Sequence, residues 1–224
     1  MHSNKLKKVV VAGSTGLIGS RLMENLMSDV TVSKMIVLAR TKVEFNSPKV
    51  ETLMVDFNDL SGVESKIQDA DTLFCCVGTT MKIAGSKEAF RKVDYQIPID
   101  LARLASKAHI KTFIAISSLG ADPGSTNFYL KTKGEMERDI DAGFKFNKLA
   151  FVRPSMLLGP RHEFRLGERL GQFFMLLFSF LMVGRIRKYR PVNDYKVAKA
   201  MVSIAGSLNN QKVYESSELE WIGR

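Results

Sequence analysis

Three side chains in the middle of the chain have the types and spacing of an acid–base set. Ser118 follows an apolar run, and Tyr129 and Lys133 are four residues apart, on one face of a predicted helix. A tyrosine with a pKa near ~10 transfers protons poorly at neutral pH, but a nearby ammonium favours its phenolate. A serine hydroxyl can orient a carbonyl oxygen. The set predicts proton transfer at a carbonyl or hydroxyl group; the alternative is a core tyrosine beside a solvated lysine.

Other reactive residue types offer less. Ser117 is expected to point toward the structure, because neighbouring strand side chains face opposite ways. Cys75 and Cys76 are adjacent in an apolar run and are interpreted as core, with a redox switch as the alternative. The histidines are scattered, and the sequence contains no C-x-x-C, H-E-x-x-H or G-x-S-x-G motif. We therefore expect neither a metal site nor a serine hydrolase.

A glycine-rich turn forms the second candidate site. It lies between an apolar run and an amphipathic helix, and it reads Gly13, Ser14, Thr15, Gly16, Leu17, Ile18, Gly19. In that context glycines let the backbone approach a pyrophosphate, and the helix N-terminus supplies amide donors and a positive dipole. The turn predicts a dinucleotide site; the alternative is a turn that only packs helix on strand.

The end of the second apolar run indicates which dinucleotide. Arg40 stands where an NAD site usually has a carboxylate, and arginine suits a 2′-phosphate. Arg21 could join the same clamp. We therefore expect NADP(H) in preference to NAD(H), with a solvated surface arginine as the alternative.

These sites need elements to position them. Short β-branched runs alternate with helical stretches, with strands predicted at 8–12, 35–39, 50–55, 72–77, 112–116 and 149–152. Such continuous apolar strands are typical of a sheet covered on both faces. We predict an α/β, doubly wound parallel sheet of the NAD(P)-binding Rossmann type in one domain, 1–224, with small C-terminal substrate-side elements. Residues 154–190 are expected to form the substrate-side wall.

Composition and the N-terminal residues indicate the class of protein and the cellular compartment. The 224 residues are 45% hydrophobic and 25% charged, an ordinary globular balance. Two adjacent cysteines favour a reducing compartment, and the N-terminus does not resemble a secretory signal. The longest apolar stretch, Phe173 to Val183, is shorter than the ~20 residues of a membrane span. The sequence predicts a soluble, cytoplasmic protein.

The charge is strongly positive and uneven. The net charge is +10, and residues 161–190 contain seven basic side chains but only two acidic ones. This permits nucleic acid, anionic membrane or phosphorylated small molecules as partners. The apolar 173–183 helix is interpreted as core or as a lid, with a membrane-surface anchor as the alternative. We expect a small carbonyl or alcohol substrate, not nucleic acid; neither the oligomeric state nor the substrate's identity follows from the sequence.

Taken together, these motifs resemble the short-chain dehydrogenase/reductase superfamily, in its extended and atypical branch. The resemblance rests on the glycine turn, Ser118, Tyr129 with Lys133, Arg153-Pro154 with Gly159-Pro160-Arg161, and the 192–198 segment. Residues 75–80, 117–122 and 133–137 are similar, more narrowly, to the Tat-interacting protein family and its bacterial relatives. The superfamily's frequent helix asparagine is not evident, and Asp94 lies near that point.

The resemblance implies how a cofactor would lie. The glycine turn would hold the pyrophosphate and Arg40 the 2′-phosphate. Asp56 would lie by the adenine, and Gly78 and Thr79 along the adenosine ribose. Lys133 would reach the nicotinamide ribose, and the nicotinamide would be flanked by Pro154, Ser155 and Met156.

The leading hypothesis is an NADP(H)-dependent oxidoreductase in which Tyr129 transfers the proton, Ser118 orients the oxygen and Lys133 tunes Tyr129. A non-catalytic NADP(H) sensor or regulatory module, whose basic surface meets a protein or nucleic acid, is the rival. A sugar-nucleotide epimerase shares the cofactor site but is disfavoured by chain length.

Overall fold

A computed structural model describes residues 6–155, 157–158 and 190–224. Within these ranges, seven parallel strands form one sheet in the order β3-β2-β1-β4-β5-β6-β9. A separate pair joins β7 to β8. The strands are β1 (Lys8–Ala12), β2 (Lys34–Ala39), β3 (Val50–Met54), β4 (Thr72–Cys75), β5 (Thr112–Ile116), β6 (Lys148–Arg153), β7 (Leu157–Leu158), β8 (Val192–Asn193) and β9 (Val213–Glu215).

Helices cover both faces of the sheet. They are α1 (Leu17–Ser28), α2 (Glu64–Ile67), α3 (Met81–Ala84), α4 (Lys87–Arg91), α5 (Ile97–Lys107), α6 (Phe128–Gly143), α7 (Asp194–Gly206) and α8 (Ser216–Ile222). Residues of α1, α7 and α8 pack on one face, and those of α2, α5 and α6 on the other. Because β1 contributes Val9 and Val11 to the first core and Val10 and Ala12 to the second, it is apolar at every position after Lys8. The predicted doubly wound α/β fold is confirmed.

The strand order reverses at the centre of the sheet. β1 lies between β2 and β4, with Ala12 level with Cys75, and Cys75 is level with Ala115 of β5. The chain segments that leave these strands therefore meet at one edge. In open parallel sheets this switch point is where ligands bind.

The helical segment that follows Ser86 and ends at Lys107 is interrupted. Ser86 caps it, since its hydroxyl accepts a hydrogen bond from the Ala89 amide at 3.1 Å. Between α4 and α5 the helix widens into a π-helical turn, Lys92–Gln96. Such turns occur frequently at functional sites, and this one contains Asp94.

Several predictions fall outside the described residues. These are the apolar 173–183 helix, Gly159-Pro160-Arg161, Met156 and most of the 154–190 wall. The single domain 1–224 also stays a prediction. None of the helices in the described ranges is long and apolar enough to cross a membrane.

Candidate functional site

The glycine turn after β1 packs as tightly as its sequence predicts. Gly13 has φ +84°, and a Cβ on it would lie 2.6 Å from the backbone carbon and oxygen of Cys76. A Cβ on Gly19 would overlap the carbonyl oxygen of Gly13. Only glycine therefore allows α1 to begin this close to the turn and to the segment that follows β4.

The start of α1 has the properties of an anion site. Gly16 is the N-cap and offers no side-chain cap, and the first turn contains no acidic residue. Thr15 and Gly16 are exposed, whereas Ser14 is buried. No side chain in the described ranges accepts a hydrogen bond from the first amides of the helix, which leaves their donors and the helix dipole for a negatively charged group. These features fit a dinucleotide pyrophosphate.

Two further predicted cofactor residues follow neighbouring strands. Arg40 directly follows β2, is exposed, and forms no hydrogen bond or ion pair with the residues the structure describes. Asp56 follows β3, and its carboxylate accepts hydrogen bonds from the amide and the side chain of Asn58 at 2.8 and 2.7 Å. Both residues lie at the carboxyl edge of the sheet, where the resemblance places the adenosine half of the cofactor.

Arg21 is occupied by other partners. Its guanidinium lies 2.9 Å from the Glu24 carboxylate and 3.3 Å from that of Asp194, at the start of α7. These contacts tie α1 to α7. The idea that Arg21 joins a phosphate clamp stays a prediction, and the observed partners do not support it.

The two serines after β5 differ in burial. Ser117 is buried, and its hydroxyl has no hydrogen-bond partner among the described residues. Ser118 is half-buried, and its hydroxyl donates a long 3.4 Å hydrogen bond to the Leu119 carbonyl. The weakly held Ser118 hydroxyl at the sheet edge is the one free to change partner.

Tyr129 lies in the first turn of α6. Asn127 caps this helix, since its side chain accepts a hydrogen bond from the Leu130 amide at 3.1 Å. The Tyr129 ring is half-buried and packs on Phe90 of α4, with ring centroids 5.5 Å apart. Lys133 follows one turn later on the same face. Its ammonium interacts electrostatically with Tyr129.

Lys133 is fully buried and paired with Asp94. Its Nζ lies 2.8 Å from Asp94 Oδ1, and the two side chains are only 2% and 1% exposed. Nζ also lies 3.5 Å from the carbonyl oxygen of Ile116, the last residue of β5. Burial lowers the pKa of the Lys133 ammonium, but Asp94, Tyr129 and Cys75 together more than offset this, so that the pKa is raised overall. Lys133 is therefore a cation that its ion pair with Asp94 holds in place.

The second oxygen of Asp94 holds the loop after β4. Asp94 Oδ2 accepts a hydrogen bond from the Thr79 amide at 2.8 Å. A Cβ on Gly78 would lie 3.3 Å from Asp94 Oδ1, so the loop passes directly over the ion pair. Gly78 and Thr79 thus contact the same carboxylate as Lys133. From the sequence, Asp94 was placed only near the position of the superfamily's helix asparagine. Its contacts with Lys133 and with the Thr79 amide were not predicted.

The loops after β5 and β6 meet at the same edge. The Leu119 amide donates to the Pro154 carbonyl at 3.0 Å. The Ser155 amide donates to the Ser216 hydroxyl at 2.6 Å. Pro154 is buried. The structure therefore places Pro154 beside the segment that contains Ser118.

Arg153 makes a second ion pair with α6. Its Nε and Nη2 lie 2.9 and 2.5 Å from the two carboxylate oxygens of Glu137. The side chains are 20% and 7% exposed. This two-pronged contact fixes the end of β6 against the helix that contains Tyr129 and Lys133.

The cysteines are free thiols in the sheet region. Burial raises the pKa of Cys75 to about 11 and also raises that of Cys76. Thiols with raised pKa values are poor nucleophiles, as expected for core residues. Within residues 6–155, 157–158 and 190–224, no three His, Cys, Asp or Glu side chains are grouped so that they could hold a metal ion.

Comparison with known proteins assigns the cofactor class. Residues 13–174 match the model of a family described as NAD(P)H-binding. The chain belongs to this NAD(P)H-binding family. The match begins at Gly13 and contains the glycine turn, Asp94, Ser118, Tyr129 and Lys133.

The chain is similar to curated relatives over more than two thirds of its length. It is 37% identical over 155 residues to the protein FMP52, mitochondrial, of Meyerozyma guilliermondii, covering 69% of this chain and 66% of that protein. It is 35% identical over 171 residues to the rat (Rattus norvegicus) protein HTATIP2, covering 75% of this chain and 70% of that protein. The resemblance to the Tat-interacting family is confirmed.

Solved structures confirm the fold. A UDP-N-acetylglucosamine 4-epimerase from Methanobrevibacter ruminantium M1 matches with a TM-score of 0.69 at 16% identity, covering 97% of this chain and 81% of that one. The Bordetella bronchiseptica enzyme WbmF, solved in complex with NAD+, matches with a TM-score of 0.69 at 15% identity, covering 98% and 78%. At these identities the likeness shows the fold alone.

The comparisons correct one prediction. A cytoplasmic location was expected, but the FMP52 relatives are named mitochondrial. The prediction was wrong because it rested on the lack of a secretory signal, which does not separate one non-secretory compartment from another.

Proposed function

We propose that the chain is an NADP(H)-dependent oxidoreductase acting on a small carbonyl or alcohol substrate. The observation that carries the proposal is the placement of Lys133, buried between the ends of β4 and β5, one helical turn from Tyr129. This is where the switch point of the sheet would present a bound nicotinamide. The family membership supports the cofactor, and the acid–base set supports the reaction.

The glycine turn and the first amides of α1 would hold the pyrophosphate, and Arg40 the 2′-phosphate. Asp56 would lie by the adenine, Gly78 and Thr79 along the adenosine ribose, and Lys133 at the nicotinamide ribose. The nicotinamide would be flanked by Pro154, Ser155 and Met156. When bound, the cofactor supplies or accepts a hydride at the substrate carbon.

Two side chains would act on the substrate oxygen, and a third would act through one of them. Ser118 donates a hydrogen bond that orients the carbonyl, for which its hydroxyl leaves the long contact with Leu119. Tyr129 gives a proton to the oxygen during reduction and takes it back during oxidation. Lys133 holds a positive charge beside Tyr129 and stabilises the phenolate that remains after the proton has left.

The preference for NADP(H) rests on Arg40. Its guanidinium is exposed at the end of β2 and free of carboxylate partners among the described residues. It is therefore available to a 2′-phosphate, whereas no carboxylate directly follows β2 to accept the hydrogen bond of an NAD ribose hydroxyl.

The test combines cofactor titration with one substitution. Titration of the purified chain should show tighter binding of NADPH than of NADH. Tyr129→Phe should abolish NADPH oxidation with a panel of carbonyl compounds and leave NADPH affinity unchanged. Tyr195→Phe, which removes the hydroxyl of an exposed tyrosine, is the matched control and should keep full turnover. Undiminished turnover in Tyr129→Phe, or tighter binding of NADH, would contradict the corresponding part of the proposal.

The second candidate is a non-catalytic NADP(H)-binding module. The neutralisation of the Lys133 charge by Asp94 favours it, because a paired ammonium assists Tyr129 less than a free one. If the chain is such a module, it should bind the cofactor but oxidise no NADPH with any carbonyl compound. It should also bind a protein or nucleic acid in a salt-sensitive way. A sugar-nucleotide epimerase, the activity named for one structural neighbour, would instead convert a UDP-sugar without net consumption of cofactor.

A further inference from the structure

The ion pair between Lys133 and Asp94 takes two charges out of water inside the candidate site. Their exposed fractions of 2% and 1% leave no room for solvent to screen either charge. A buried lysine without a counter-charge tends to lose its proton, because burial disfavours the charged form. The charge of Lys133 therefore depends on what surrounds it.

Among the described residues, three ionisable groups face the Lys133 ammonium. Asp94 approaches from the π-helical turn, Tyr129 from the preceding turn of α6, and Cys75 from the end of β4. Cys75 stays a neutral thiol near neutral pH, because burial raises its pKa to about 11. Within the part of the chain that the structure describes, Asp94 is thus the negative charge paired with Lys133.

The same carboxylate also determines where the loop after β4 lies. One oxygen contacts Lys133, and the other accepts the hydrogen bond of the Thr79 amide at 2.8 Å. An asparagine could not replace it, because its side chain has one acceptor oxygen and would turn an NH₂ group toward either the ammonium or the amide. The π-helical turn brings this carboxylate between lysine and loop.

We propose that Asp94 is a positioning residue that keeps Lys133 protonated and fixes it, through a shared carboxylate, to the Gly78–Thr79 loop along which the cofactor would lie. Asp94 itself touches neither substrate nor cofactor and acts through Lys133. This role deepens the proposed function and rests on it for its catalytic meaning. The charge of Lys133, however, can be measured without any ligand.

The first test is denaturant unfolding as a function of pH. In the native chain the raised pKa of Lys133 means that its stabilising charge is present below the ordinary lysine pKa and is lost only above it. In Asp94→Asn, burial would lower that pKa, so that the unfolded state binds more protons than the folded state. The deficit in unfolding midpoint of Asp94→Asn relative to the native chain should therefore shrink as pH rises from about 7 to about 9.5.

Glu137→Gln is the matched control. It removes the carboxylate that pairs with Arg153 on the same helix, but Arg153 does not lose its proton in this range. Its deficit should stay constant with pH. Tyr129 and Cys75 are present in both variants, so neither group distinguishes Asp94→Asn from Glu137→Gln. A deficit in Asp94→Asn that is also independent of pH would overturn the proposal.

If Asp94→Asn alone does not fold, the double variant Asp94→Asn with Lys133→Met still tests the proposal. With both charges gone, the proposal expects a chain that is more stable than Asp94→Asn at neutral pH and has lost its pH dependence. A double variant that is no more stable than the single one would contradict the proposal.

Cofactor titration supplies the second test. At about pH 9, Asp94→Asn should bind NADPH about tenfold more weakly than Glu137→Gln does, as expected for the loss of one charged hydrogen bond. Equal affinities, with the expected pH-dependent unfolding, would place Asp94 outside the cofactor site and remove its positioning role. If the native chain binds NADPH but reduces no carbonyl, the proposed reaction fails while both tests of Asp94 remain valid.

Discussion

Two ion pairs lie one turn apart on α6, and they differ in chemistry and in surroundings. Lys133 meets Asp94 through one oxygen, while the other oxygen of Asp94 holds the Thr79 amide. Glu137 instead receives Arg153 through both of its oxygens. The first pair therefore joins the helix to a loop at the candidate site, and the second joins it to the end of β6.

The choice of cation follows the difference in place. Arginine keeps its charge in any protein environment and matches a carboxylate with a rigid fork, which suits a permanent attachment. Lysine is a compact donor whose protonation responds to burial and to neighbouring charges. The same helix thus has one pair at Glu137 whose cation is always charged and one pair in which the charge of Lys133 depends on Asp94. The second pair lies beside Tyr129.

The largest effect is expected from Lys133→Met. This change leaves the Asp94 carboxylate buried and unpaired, which should lower the free energy of unfolding by about 3–5 kcal/mol. Turnover should fall at least about a hundredfold, because Tyr129 loses the charge beside it. Urea unfolding and NADPH oxidation by carbonyl compounds would measure the two losses. Lys131→Met, at an exposed position of the same helix, should change neither, and a loss of stability below about 1 kcal/mol would contradict the importance of the pair.

A smaller effect is expected from Arg153→Met. Glu137 would be left 7% exposed beside the space vacated by an arginine that is 20% exposed. Because water can reach part of this site, we expect a loss of about 2–3 kcal/mol in urea unfolding. NADPH affinity should stay within about twofold of the native chain, since this pair does not contact the Gly78–Thr79 loop.

Arg138→Met is the control for Arg153→Met. Arg138 pairs with Asp139 at the surface, where the side chains are 57% and 31% exposed. Exposed pairs contribute about 0–1 kcal/mol, so this variant should be nearly as stable as the native chain. A loss of NADPH affinity in Arg153→Met as large as that in Lys133→Met would show that both pairs serve the cofactor site and would remove the distinction between them.

Local patterns account for most of the fold. The apolar runs of β1, β2, β4 and β5 are recognisable because each strand is buried on both faces. The glycine turn is recognisable because Gly13 and Gly19 occupy places that a Cβ would fill. Ser118 and the Tyr129–Lys133 spacing follow from strand ends and helical periodicity, which are also local properties.

The ion pairs could not be predicted in this way. Asp94 and Lys133 are brought together by the packing of the π-helical turn against α6, and an aspartate in a helix gives no local sign of such a partner. Arg21 is a second case. Its position near the glycine turn predicts a phosphate clamp, which stays a prediction, but gives no sign that Glu24 and Asp194 contact its guanidinium. Sequence identifies the ends of elements better than it identifies the partners of long charged side chains.

The smallest effect of breaking an ion pair is expected in the labelling rate of Cys75, which lies near Lys133 and Asp94. With its pKa raised to about 11 by burial, Cys75 should react with iodoacetamide at about pH 8 at least about a hundredfold more slowly in the folded chain than in urea. In a Cys76→Ala background, where Cys75 is the remaining thiol, Lys133→Met should accelerate labelling about threefold through local opening. Arg153→Met should leave the rate unchanged, because its pair lies one turn away on α6 and does not face Cys75. Equal acceleration in both variants would mean that the two ion pairs stabilise one cooperatively unfolding region. The two pairs would then differ in the chemistry of their cations but not in their effect on local stability.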